Sequence, residues 1–430
     1  MELSVLYDYF LACGGITTDS RNCPENSMFV ALKGENFNGN AFAEEALRKG
    51  CRYAVVDEPA YAGTGNPRIL LVDDCLRSLQ RLANCHRRRL KTRIIGITGT
   101  NGKTTTKELM AEVLKRRFNL LYTQGNLNNS IGVPLTLLRL KPEHELAVVE
   151  MGASHPGDIR ELVEIAEPDY GIITNVGKAH LQGFGSFEGV IRTKGELYDY
   201  LRGRGNATIF IQNENPYLNR IAHDLTCVRY GQTPGLFVSG RMLDCSPYLK
   251  FCWEAAGESH EVTTRLVGSY NLDNALAAVA VGRYFGVDDA LISEAIAGYV
   301  PQNSRSQLVK TASNELIVDA YNANPTSMAA ALENFRQMPS GHKMVVLGDM
   351  RELGASSREE HQRIVDLLAG YGFERVCLVG GEFAAVNHRF EQYRDVDEVM
   401  DAFRRAKPEG FLILVKGSNG MKLNRLPDCL

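Results

Sequence analysis

The stretch Gly96-Ile97-Thr98-Gly99-Thr100-Asn101-Gly102-Lys103-Thr104-Thr105-Thr106 follows an apolar run over residues 94–98 and opens a helical pattern that extends to about residue 118. A glycine-rich turn between strand and helix offers backbone N–H groups at the positive end of the helix, which suits a phosphate chain. Lys103 supplies charge for β- and γ-phosphates, and the Thr104 hydroxyl is a ligand for Mg²⁺. Five residues separate Gly96 from Gly102, where the common GxxxxGK[ST] loop has four, so this is a variant phosphate-binding loop. Gly99, Thr100, Asn101, Gly102 and Thr105 complete the expected nucleotide-binding turn.

Outward from that turn, apolar runs at 146–150, 171–175 and 208–213 alternate with helical stretches, as parallel strands buried on both faces do. A doubly wound central α/β domain over residues 89–306 is expected, with an Ala- and Val-rich helix over 271–285 packed on its sheet. Glu150 ends the second run and precedes Met151-Gly152-Ala153, which puts a carboxylate at the carboxyl edge of the sheet, where ligands bind in such folds. A hard oxygen ligand there suits Mg²⁺. His180, in Thr174-Asn175-Val176-Gly177-Lys178-Ala179-His180-Leu181, lies just beyond the next strand of the same sheet. A lone histidine is ordinarily structural; this placement makes His180 a candidate ligand. Lys194 at the start of a helix reads, on its own, as a solvated charge.

Residues 1–88 contain short strand-like runs at 28–32, 53–57 and 69–73 with a helical stretch at 42–49, the pattern of a small α/β domain. A helix over 75–90 ending in Arg87-Arg88-Arg89 reads as a solvated linker before the domain boundary. The polar segment 301–306 leads to a third domain over 307–430, in which runs at 316–320, 344–348, 375–380 and 411–416 predict a second, Rossmann-like parallel sheet. Asp319 ends its first run, and Ala320-Tyr321-Asn322-Ala323-Asn324-Pro325 is an abrupt polar turn suited to ligand contacts, with a helix N-cap as the competing reading.

Composition narrows the class. Of 430 residues, 44% are hydrophobic and 23% charged, which argues against extensive disorder. A net charge of −3 gives no reason to expect nucleic acid as the partner. Ten cysteines occur without a CxxC pair or a metal-binding array, so reduced, buried thiols are expected. Residues 1–15 lack a basic n-region, and no apolar run approaches the ~20 residues of a membrane span. A cytoplasmic monomeric enzyme without membrane association is the expectation.

Read together, these segments resemble the Mur ligase family, whose loop has the form TGTNGKT, and the resemblance extends over nearly the whole chain. It rests further on Asp319-Ala320-Tyr321-Asn322-Ala323-Asn324-Pro325-Thr326-Ser327-Met328, on Val346-Leu347-Gly348-Asp349-Met350-Arg351-Glu352-Leu353-Gly354, and on Ala179-His180-Leu181-Gln182-Gly183-Phe184-Gly185-Ser186. The resemblance implies three domains that bring together a UDP-sugar peptide, ATP with two Mg²⁺ ions and an incoming amino acid or dipeptide. Within the family the likeness is to the member that joins D-alanyl-D-alanine to UDP-N-acetylmuramoyl tripeptide through an acyl phosphate. The Asp-Asn-Pro-Arg motif of the diaminopimelate-adding relative is absent. Rival readings are a ligase adding a single amino acid, a folate polyglutamylating enzyme, and a nucleotide-binding regulatory protein without ligase activity.

Carried over by position, the resemblance implies that Lys103 and Thr104 bind ATP phosphates and Mg²⁺, and that Glu150 and His180 hold Mg²⁺. Lys194 matches a lysine carbamylated by CO₂ in several members, which would make it an anionic oxygen ligand. Asn271 and Asn274 match the adenine-binding segment, and Arg305 and Asp319 the groups that reach the γ-phosphate and ribose. Asn129, with its neighbour Asn128 as the alternative register, matches a substrate and phosphate contact. Ser20, Arg21 and Lys33 fall in the segments that resemble the uridine-binding module, where Asn38-Gly39-Asn40 stands in place of the Asp-Gly-His of many relatives. Tyr321, Asn322, Asp349 and Glu352 are candidates for the dipeptide pocket, each with a cap or a solvated polar residue as the alternative.

Overall fold

Three main β-sheets, each drawn from its own stretch of chain, organise the computed structural model, which describes residues 1–63, 65–205, 207–301 and 305–430. The first is a four-stranded parallel sheet of Gly15–Thr17, Ser27–Val30, Tyr53–Val56 and Ile69–Leu71. The middle sheet has nine strands. Its centre is parallel, with Arg93–Thr98 between Leu146–Glu150 and Tyr170–Ile173, and Thr208–Gln212 and Thr226–Gly231 following on one side. Every residue of Leu146–Glu150 is buried, as a strand covered on both faces requires.

Three strands of this sheet were not legible as a parallel core: Val238–Cys245, Tyr248–Ala255 and Glu258–Val267, whose two pairings are antiparallel. The last alternates exposed and buried residues over much of its length, so one face meets the core and the other solvent. The helix after the phosphate-binding turn is also shorter than expected. It spans Lys103–Leu114, and the Phe118 N–H returns to the Leu114 carbonyl in a closing turn.

Helix Cys75–Arg89 departs from the solvated linker that its arginines suggested. Arg87 is buried and donates to the carbonyls of Ala166 and Glu167 at 3.0 and 2.8 Å and to Asp169 Oδ2 at 3.2 Å. The guanidinium thus satisfies carbonyls left open at the end of helix Asp158–Ala166. One continuous apolar cluster runs from Phe29 and Val55 through Leu79 and Leu82 to Leu137, Val149 and Leu162, so this helix joins the first sheet to the second. Arg87→Ala should therefore lower the free energy of unfolding by about 2 kcal/mol, the loss of charge-assisted bonds that leaves buried acceptors open. A urea midpoint equal to that of the unsubstituted protein would contradict this.

The third sheet has the order Gln307–Lys310, Glu315–Asp319, Leu412–Lys416, Lys343–Gly348, Arg375–Val379 and Glu391–Tyr393, parallel except at its first pair. Of the connecting segment expected at 301–306, residues 302–304 lie outside the described residues. The third unit meets the second close to the glycine-rich turn. Asn324 Nδ2 donates to Asn101 Oδ1 at 2.8 Å, and Lys178 Nζ lies 2.6 Å from Glu360 Oε1.

Candidate active site

The strand order of the middle sheet places Arg93–Thr98 where the chain has crossed first to one side and then to the other, the switch point at which doubly wound folds open a crevice. Gly99 and Gly102 shape the turn, with φ of +145° and +77°. A Cβ at Gly99 would overlap the Thr174 hydroxyl and one at Gly102 the Asn274 side chain, so both positions need glycine for space as well as conformation. The crevice widens into a cavity of about 730 Å³ lined by the turn, by strand ends of the middle sheet and by Asp319, Tyr321, Asn322, Glu352 and Lys416 of the third unit.

Lys103 folds back on its own turn, with Nζ donating to the carbonyls of Gly99 at 2.7 Å and Thr100 at 3.1 Å. Burial pulls its pKa down to about 8, with Glu150 opposing and Arg305 adding to the fall. The Thr104 hydroxyl donates to Glu150 Oε1 at 3.1 Å, and Asn128 Nδ2 donates to the same oxygen at 2.8 Å. Glu150 Oε2 is buried and accepts no hydrogen bond from the described residues; Lys107 Nζ stands 3.9 Å from it. A buried carboxylate with one oxygen open, beside a threonine hydroxyl at a helix N-terminus, suits a divalent cation.

Lys194 sits on helix Phe187–Gly203 and is 2% exposed, which overturns its reading as a surface charge. Nζ donates to the Ala153 carbonyl at 3.3 Å and lies 5.3 Å from the Phe184 ring centroid. Burial and the nearby Lys103 charge hold its pKa well below the ordinary lysine value. His180 lines the cavity in a left-handed conformation, φ +50°, and its Nδ1 contacts Glu352 Oε2. Burial lowers its pKa against the opposing Glu352 charge.

Arg305 lies over the Tyr321 ring, 3.8 Å from its centroid, and its buried Nε has no hydrogen-bond acceptor among the described residues. Asp319 Oδ2 accepts from Lys416 Nζ at 2.5 Å, and the Ser306 N–H lies 3.4 Å from Oδ1. Asn271 and Asn274 are linked to each other at 2.9 Å, and Thr106 donates to Asn274 Oδ1 at 3.0 Å. Asn129 also lines the cavity, but its Oδ1 accepts from the N–H groups of Ile131 and Gly132. Asn128 is the neighbour that reaches Glu150.

Four candidates stand apart from this cavity. Asp349 is 6% exposed and its carboxylate accepts from the N–H groups of Glu382 and Phe383 at 3.1 and 3.0 Å, so it caps a helical turn. Lys33 is paired with Asp57 at 2.9 Å and Glu58 at 3.0 Å, and Arg21 with Asp19 at 2.9 Å. Ser20 is buried in the first unit, its carbonyl accepting from Lys49. Asn40 is fully buried and its amide both donates to and accepts from Asp57, so the Asn38-Gly39-Asn40 segment serves the packing of that unit. Lys107 and Lys416 escaped the sequence reading. Lys416 had a signal available, since it ends the strand beside Asp319 just as Glu150 ends its own. Lys107 reads as one more polar residue of a helix, and only the packing buries it.

These features suit a nucleotide-dependent enzyme: a glycine-rich turn at a helix N-terminus faces a second α/β unit across a cavity. Residues 13–84 match the Mur ligase family catalytic domain, 97–282 the Mur ligase middle domain and 304–419 the Mur ligase glutamate ligase domain. The chain belongs to the Mur ligase family. It is 36% identical, over 96% of its length and 92% of the relative's, to UDP-N-acetylmuramoyl-tripeptide–D-alanyl-D-alanine ligase of Bacillus subtilis (strain 168). Among solved structures, MurF from Acinetobacter baumannii superposes with a TM-score of 0.85 at 29% identity, covering 99% of this chain and 97% of the other. The MurF ligase from Thermotoga maritima in complex with ADP gives 0.85 at 27% identity, covering 98% and 97%.

Proposed function

We infer that this chain is an ATP-dependent ligase that joins D-alanyl-D-alanine to the C-terminal carboxylate of UDP-N-acetylmuramoyl tripeptide in the assembly of peptidoglycan precursors. The observation that carries the reading is the 36% identity over nearly the full length of a ligase with that named reaction. The tripeptide carboxylate attacks the γ-phosphorus of ATP, ADP leaves, and the resulting acyl phosphate is attacked by the dipeptide amine with release of phosphate. Phosphoryl transfer is chiefly positioning and charge neutralisation, and Lys103 and Arg305 supply the cationic groups of the cavity.

The first unit, residues 1–88, takes the UDP-sugar end, with Ser20, Arg21 and Lys33 as its candidate contacts. Residues 89–306 hold ATP, with the adenosine towards Asn271, Asn274 and Asp319. Residues 307–430 present the dipeptide, with Tyr321, Asn322 and Glu352 at the cavity and Asp349 supporting the loop behind them. Two Mg²⁺ ions would be held by Thr104, Glu150, His180 and a carbamylated Lys194, the open Glu150 Oε2 being the feature that fits them. When bound, the ions neutralise charge on the phosphates and the reacting carboxylate. No helix among the described residues is long and apolar enough to cross a membrane.

Phosphate release from ATP and Mg²⁺ should depend on both the UDP-linked tripeptide and D-alanyl-D-alanine. Release with a single amino acid in place of the dipeptide would move the enzyme to another step of the same chemistry. No release with any acceptor would favour a binding protein instead.

A further inference from the structure

His180 and Glu352 face each other across the junction of the second and third units, and both are non-glycine residues in the left-handed region, at φ +50° and +65°. Such conformations cost free energy and persist only where the surroundings hold them, which is why they gather at functional sites. The backbone fixes the pair from both sides. The Gln182 N–H donates to the Glu352 carbonyl at 3.2 Å, and Gly354, at φ +56°, packs against the Gln182 side chain so closely that a Cβ there would come within 3.2 Å of it. Beyond it, Lys178 and Glu360 close the same junction at 2.6 Å, with Glu360 only 4% exposed.

The Glu352 side chain is 59% exposed. A contact between an imidazole and a carboxylate so open to water contributes little to stability, so the strain at both residues is not repaid by the pair as a structural brace. What the contact does set is the imidazole. Glu352 Oε2 lies against Nδ1, which is buried and has no hydrogen-bond partner of its own among the described residues; a carboxylate there favours the proton on Nδ1 and so leaves the lone pair on Nε2 for a metal ion.

We propose that Glu352 is a positioning residue for His180, so that docking of the third unit onto the second completes the divalent-cation site. The inference rests on the reading of His180 as a metal ligand and assigns Glu352 a task other than dipeptide contact. It also makes the cation site conditional on closure: with the third unit swung away, His180 loses the partner that orients it, and cation affinity falls before any substrate is considered.

The test uses the full chain with ADP and Mn²⁺ as the probe, reading free Mn²⁺ by electron paramagnetic resonance, with ADP affinity measured separately without metal. Glu352→Ala should weaken Mn²⁺ binding about tenfold, the size of effect expected when the partner of a metal-bound histidine is removed. Glu352→Gln, which retains an acceptor oxygen, should recover part of the loss, and metal-free ADP affinity should not change. His180→Ala run in parallel separates the two ideas. If it leaves Mn²⁺ affinity intact, the metal role of His180 is wrong and the inference falls with it. If it weakens Mn²⁺ while Glu352→Ala does not, only the positioning role is overturned. A Glu352→Ala protein with unchanged Mn²⁺ affinity and a raised KM for D-alanyl-D-alanine would return Glu352 to the dipeptide pocket. An equal loss of metal-free ADP affinity would mean general disruption and also overturn the proposal.

Discussion

Replacing Lys103 by alanine should lower kcat by about a thousand-fold while the protein stays folded, since removal of one preorganised donor to developing charge costs on that order. Among the described residues the side chain bonds only to carbonyls of its own turn, Gly99 and Thr100, so its loss should leave the surrounding sheet and helix in place. A pH signature accompanies the loss. Burial holds the Lys103 pKa at about 8 in the free site, whereas a bound polyphosphate favours the ammonium form and raises it. Below pH 8 the cation is already present. Above it, binding must take up a proton, so affinity for ADP should weaken as pH rises, by about tenfold per unit until the bound-state pKa is reached. Lys103→Ala should bind ADP more weakly and without that slope. Near-normal kcat, or a slope that survives the substitution, would remove Lys103 from the phosphate site.

The second large effect belongs to Lys194. Its Nζ is buried, donates among the described residues only to the Ala153 carbonyl, and has its pKa held well below the ordinary value by burial and the neighbouring Lys103 charge, which favours the neutral amine. A neutral amine adds CO₂ to form a carbamate with loss of one proton, which turns a cation into an oxygen ligand. Lys194→Ala should therefore lose activity by about a hundred-fold or more, and acetate or formate should restore part of it by occupying the space with a carboxylate. A ¹³C carbamate resonance on the unsubstituted protein supplied with labelled CO₂ gives an independent reading. Full activity of the variant would dismiss the residue. Loss without rescue and without the resonance would leave Lys194 as an amine that packs beneath the site.

Much of the cavity lining beside the glycine-rich turn was legible because its residues are contiguous. A strand, a glycine turn and a helix with Lys103 and Thr104 at its start lie within one short run. Glu150 could be placed because a strand buried along its whole length has one carboxyl end, and the edge of the sheet is where that end emerges. The antiparallel strands from Val238 to Val267 were missed because a strand with one wet face carries no continuous apolar run.

Asp349 and Asn129 show a different shortfall, since a polar residue after a strand or before a helix reads the same whether it meets a ligand or caps its own backbone. The structure gives Asp349 to the N–H groups of Glu382 and Phe383, and Asn129 to those of Ile131 and Gly132. Arg87 ends a basic run that looks solvated until the far end of helix Asp158–Ala166 is brought against it.

The glycine-rich turn, the α/β class and the carboxylates at strand ends follow from residues a few positions apart under the geometry of one strand or helix, so the chain order alone was enough to place them. The burial of Lys107 and Lys194, the pairing of Lys416 with Asp319 and the meeting of His180 with Glu352 came instead from the packing of distant segments. Desolvation and charge neighbours are set by chain segments far apart in sequence, and until those segments pack, a lysine destined for the interior is indistinguishable from one destined for water.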